Sequence, residues 1–194
     1  MNVLWLLPLS ALLAAQNADD EKAWKKAVKD FLAKSRSGDP EKRLTCFREF
    51  LPKPNAKALP TIEGRLEWES DNRQGSDDVA LEILTHLGQY TIEDEAARIL
   101  SEFLADGKMG EKPELQARAL TSFGSLNPKL TRPRVEPLHK LTAHKKTDVA
   151  KLAIEVLGIV GAKESIPVLM EHMRKNQEHM KSYLGPKQPG CDGG

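Results

Sequence analysis

Four of the five histidines in this chain come in pairs, and imidazoles are the side chains best suited to hold a metal here. His139 and His144 stand close together, while His172 and His179 are seven residues apart, each preceded by a glutamate, Glu171 and Glu178. A zinc centre takes three or four convergent ligands, and helical ligand pairs usually sit three or four residues apart. Seven residues are two turns, about 10.5 Å of rise, so His172 and His179 on one straight helix do not meet easily at one ion. Both pairs are expected to decorate exposed surface. Serines and aspartates are present, but no Gly-x-Ser-x-Gly elbow, phosphate-cradling glycine loop or CxxC pair occurs. No catalytic, cofactor-binding or metal-binding residue is assigned, and no cofactor is expected.

Charge offers a second kind of chemistry. Lys plus Arg number 29 against 28 Asp plus Glu, so the whole chain makes no field favouring nucleic acid or an anionic membrane. The distribution is uneven. Acids dominate from Glu63 to Asp106, whereas Lys129, Arg132, Arg134, Lys140, Lys145, Lys146 and Lys151 crowd the stretch from 108 to 163. That half can dock an acidic partner; the plainer alternative is a solvated face that keeps the protein soluble. Trp68, in the acidic run E-W-E-S-D, is expected to seal a seam between repeats; the alternative is an exposed contact residue. Cys46 falls at a helical core position, and Cys191 lies in a Gly/Pro-rich tail, so a buried thiol and a loose one are expected rather than a disulfide.

The elements that must position these residues show best between Asp148 and Met173. Val149, Leu152, Ala153, Val156 and Leu157 recur at helical spacing, with Thr147 and Asp148 before them as capping candidates. Gly158 and Gly161 mark a turn, and Ser165 with Pro167 opens a second helix whose buried face is expected to be Ile166, Leu169, Met170 and Met173. Aligning Gly158 with Gly124 and Gly88 brings Val149, Ala153, Ile154 and Leu157 over Leu115, Ala119, Leu120 and Phe123, and over Val79, Ile83, Leu84 and Leu87. A degenerate first copy runs through Cys46, Phe47 and Phe50, and its Leu59-Pro60-Thr61-Ile62 echoes Ile166-Pro167-Val168-Leu169. Helix pairs recurring about every 34 to 37 residues imply stacked units. Asn127–Pro137, with three prolines, is expected as an exposed loop.

The run V-A-K-L-A-I-E-V-L-G-I-V-G followed by E-S-I-P-V-L resembles the short HEAT repeat of the type also found in phycobilin lyases. The resemblance covers about residues 40–180. It implies an all-α fold: a right-handed α-solenoid of about four stacked HEAT-like helix pairs with an N-terminal capping helix, which would present a concave surface to a protein partner. HEAT-like metal hydroxylases carry His-Glu dyads, and the order here is Glu-His. HEAT-like DNA glycosylases need a basic, aromatic-lined groove, and aromatic residues make up only 5% of this chain.

The ends complete the organisation. Val3 to Ala15 is uncharged and leucine-rich, too short to span a bilayer, which takes roughly 20 residues. It reads as the apolar region of a signal peptide, with cleavage after Ala15 or Ala18. The expected layout is therefore 1–18 signal peptide, 19–38 N-terminal capping helix, 39–184 HEAT-like repeat domain and 185–194 disordered tail or linker. In the capping helix, Trp24, Ala27, Val28, Phe31 and Leu32 form the apolar stripe. The function expected is a non-catalytic protein-protein interaction or scaffold module, secreted or periplasmic. It would bind a protein partner but no nucleic acid, and keep no stable membrane anchor after signal cleavage. The alternative is a lyase or metal-dependent enzyme built on a HEAT-like scaffold.

Overall fold

A computed structural model describes residues 9–51, 53–71, 73–106 and 112–183, with side chains described from residue 20 to 178. The expected tail at 185–194, Cys191, the side chain of His179 and the first eight residues of the signal segment lie outside these. Among the described residues the protein is all-α. The helices are α1 (Leu9–Lys34), α2 (Pro40–Phe50), α3 (Leu59–Asp71), α4 (Asp77–Leu87), α5 (Asp94–Ala105), α6 (Pro113–Ser125), α7 (Pro128–Thr131), α8 (Glu136–Leu141), α9 (Thr147–Val160) and α10 (Ile166–Tyr183). Short 3-10 turns lie at Ala56–Ala58, Arg132–Arg134 and Lys163–Ser165. No described helix is long and apolar enough to cross a membrane. The chain divides into two compact units, 1–83 and 84–194, the division falling inside α4.

In the first unit, α1 packs on α2. Phe50 stacks between Trp24, at 5.4 Å, and Phe31, at 4.3 Å with ring planes 10° apart. The inward face of α1 is Trp24, Val28, Phe31 and Ser35; Ala27 and Leu32, expected in the stripe, point outward. The helix runs without a break from Leu9 through the expected boundary at 18 and stops at Lys34. Asp39-Pro40 then restarts the chain. The Asp39 carboxylate accepts from the Glu41 backbone N–H, and proline at the first helical position loses no hydrogen bond. Asn55 caps the next turn by accepting from the Lys57 N–H. Leu59, Ile62 and Leu66 of α3 then join Cys46 and Phe47 of α2 in the core.

In the second unit, α6 packs against both α5 and α9, and α8 packs against α9 and α5. The aligned positions are filled as the pattern requires: Leu115, Ala119, Leu120 and Phe123 of α6, and Val149, Ala153 and Leu157 of α9, are buried. Ile154 and Leu152 are only half-buried. Gly88 follows α4 at a close approach, because a Cβ there would lie 3.1 Å from Ser122 of α6.

Several expectations about turns change. Gly158 is inside α9, and the turn belongs to Gly161, whose φ of 63° and ψ of 39° are the left-handed geometry that ends a helix. Thr147 and Asp148 lie within the first turn of α9, whose N-cap position is Lys146, and no side chain caps it. Asn127–Pro137 is no loose loop. Asn127 caps α7 by accepting from the Lys129 N–H, the prolines fall at first-turn positions, and Thr131 and Val135 are buried.

The largest correction concerns α10. Ile166, Met170 and Met173 are exposed, by 52%, 65% and 62%, and Ile159 at the end of α9 by 61%. The inward side is Ser165 with half-buried Val168, Leu169 and His172. A hydrogen bond of 2.9 Å between Ser165 Oγ and His139 Nε2 of α8 pins the start of the helix in that rotation. α3 opens with the same Leu/Ile-Pro pattern after a 3-10 turn, yet buries its Leu59 and Ile62.

Candidate functional site

Each histidine of the two pairs whose side chain is described has a partner of its own. His139 bonds Ser165, His144 Nδ1 accepts from the Lys146 backbone N–H at 3.1 Å, and His172 lies 3.0 Å from the Asn176 amide. Among the described residues no group of three or more His, Cys, Asp or Glu is placed to hold a metal ion. Glu171 and Glu178 instead flank Arg174, and the Arg174 guanidinium holds the Glu171 carboxyl at about 2, well below the usual glutamate range. Cys46 is buried, its thiol 3.9 Å from the Phe31 carbonyl oxygen, and burial pushes its pKa up, away from the reactive thiolate.

One charged cluster is absent from the sequence reading. Glu69 of α3 is fully buried and accepts from the Arg43 fork at 3.0 and 3.2 Å, from Arg65, and from the Ser76 N–H at 2.8 Å. Arg43, 1% exposed, also donates to the carbonyls of Ser37 and Gln74 at 2.8 and 3.1 Å. The ring of Trp68 lies 4.1 Å from the Arg65 guanidinium carbon and 5.2 Å from that of Arg43. Burial pulls the Arg65 pKa down, and the hydrogen bond to Glu69 opposes that. Trp68 is therefore a half-buried cover on two cations, through a cation–π contact. The i,i+4 spacing of Arg65 and Glu69 was legible in the sequence. Arg43, 26 residues away, carried no such signal. The hydrogen bonds described for this cluster stay within the first unit, so it reads as a structural clasp.

In the second unit the basic residues separate into paired and unpaired. Arg134 meets Asp94 at 2.8 Å and Lys140 meets Glu136 at 2.9 Å. Among the described residues Lys129, Arg132, Lys145, Lys146, Lys151 and Lys163 meet no carboxylate. Arg132 instead donates from Nε to the Val160 carbonyl at 3.0 Å, at the end of α9, where free carbonyls favour a cation. Arg132, His139 and Lys163 line one open cleft of about 860 Å³ between the α7–α8 segment and the turn joining α9 to α10. Pro133, Val135, Gly161 and Ala162 form its apolar and backbone wall, and Glu136 and Glu164 complete it. Sequence reasoning placed most of these cations in a basic stretch, but it could not show which were already neutralised.

Comparison with known protein families, with curated proteins and with solved structures returns no match for this chain.

Proposed function

We propose that this chain is an exported, non-catalytic protein-interaction module, built as a HEAT-like right-handed α-solenoid of about four helix pairs. The observation that carries the reading is the last helix pair. Its inner stripe is filled, yet Ile159, Ile166, Met170 and Met173 are each more than half exposed. Ile166, Met170 and Met173 share one face of α10 at i, i+4 and i+7, and a contiguous exposed apolar face of this kind marks an interaction site. The recurrence of the buried stripe in α4, α6 and α9 supports the repeat architecture, and the apolar segment from Val3 to Ala15 supports export.

The test is cross-linking in envelope extract with a photo-reactive residue at position 170, and with one at Lys29 on the outward side of α1 as control. A discrete adduct that depends on position 170 is expected. A smear identical to the control, or no adduct, counts against the reading. Stoichiometric iron or zinc in the purified protein would turn the assignment toward the metal-dependent enzyme.

A further inference from the structure

We propose that the cleft lined by Arg132, His139 and Lys163 binds an acidic polypeptide segment, taking a carboxylate on its cations and an aliphatic side chain against Pro133. The proposal rests on the interaction-module reading and gives it a site and a partner chemistry.

Charge balance carries it. From Asn127 to Ser165 the cations outnumber the acids, and the two ion pairs there, Arg134–Asp94 and Lys140–Glu136, remove only two of them. Glu136, on the cleft wall, is already held by Lys140, which leaves Glu164 as the one lining carboxylate without a cation, against Arg132 and Lys163. Surface lysines alone would say little. Arg132 adds placement, because one of its five N–H groups is fixed on the Val160 carbonyl and the rest of the fork has no acceptor among the described residues. Its Nη2 lies beside Gly161, 3.8 Å from where a Cβ would stand. An arginine held by one bond loses less freedom on gripping a carboxylate with its remaining donors. His139 is likewise held in place, its Nε2 2.9 Å from the hydroxyl of the fully buried Ser165. A cleft of about 860 Å³ suits a few residues of extended chain, and the exposed ring of Pro133 gives an aliphatic neighbour of the carboxylate something to cover.

The probe is a labelled peptide of alternating glutamate and leucine, titrated by fluorescence anisotropy into the full chain at low and high salt. Saturable binding that weakens with salt is expected. Lys163→Glu, at an exposed site without an ion pair, should weaken it at least tenfold with an unchanged melting temperature. Arg132→Lys, which keeps the charge and removes the fork, should weaken it severalfold. Equal binding by both variants overturns the proposal, as does equal binding of a glutamine-for-glutamate peptide or failure of the wild type to bind. Complete displacement by inorganic phosphate at the peptide's own concentration would show a simple ion site and overturn the polypeptide assignment. A cross-linked partner captured equally well by Lys163→Glu would sink the cleft while leaving the interaction module standing.

Discussion

Glu69 is the residue on which most of the first unit's polar order depends. Two guanidiniums and a backbone amide converge on one carboxylate that water does not reach. Removing one partner of such a group costs far more than removing an exposed pair, because the remaining charges stay buried without compensation. Glu69→Gln keeps the shape and deletes the charge, so it should lower unfolding free energy by about 3–5 kcal/mol in urea titration. A loss below about 1 kcal/mol, the range of an exposed ion pair, would mean that water screens the cluster. The same reasoning sets Arg174 apart: its pairs with Glu171 and Glu178 are strong in geometry but lie at the surface, where solvent competes for both partners.

Among the elements, α9 and α10 teach opposite lessons. Both carry apolar residues at helical spacing, and only α9 buries them as expected. Leu157→Ala should therefore cost about 2–5 kcal/mol, the usual range for a buried leucine. Met170→Ala should change stability by less than about 0.5 kcal/mol, as surface substitutions do. Equal losses at the two positions in thermal or urea unfolding would restore the inward rotation of α10. The difference explains what could be read ahead of the structure. Periodicity identifies an apolar stripe, and in α4, α6 and α9 a neighbour exists to cover it. For the last helix the same periodicity gives no information about a neighbour, and the Ser165–His139 bond, made between residues 26 apart, decides the rotation. Cap chemistry was legible where the side chain is short and local, as at Asp39-Pro40. It misled at Thr147 and Asp148, where the chain enters the helix one residue earlier. The binding cleft was half legible: Arg132 stood out in a run of cations, but folding fixes Asp94 and Glu136 as the partners that neutralise its neighbours Arg134 and Lys140, and so leaves Arg132 and Lys163 to the cleft.

At the scale of the whole molecule, the two units and the apolar run from Val3 to Ala15 set the organisation. Export predicts a mature chain beginning at Gln16 or Asp19, seen in intact mass and N-terminal sequencing of protein recovered from outside the cytoplasm. A start at Met1 in that fraction would remove the cleavage sites, and absence of the protein from that fraction would remove the export reading. Cleavage at either place shortens α1 but spares Trp24 and Phe31, so the aromatic stack that joins α1 to α2 survives processing. The packing of α1 on α2 is then the same after trimming as before.

The arginine–glutamate clasp also sets a limit on dissection. Arg43 draws on the carbonyls of Ser37 and Gln74, and Glu69 on the amide of Ser76, so its polar contacts extend from the end of α1 to the entry of α4. Any fragment that keeps α2 and α3 but ends before Ser76 strands two guanidiniums around an under-bonded carboxylate. The shortest excised piece in which α2 and α3 stay paired must begin at or before Ser37 and run past Ser76.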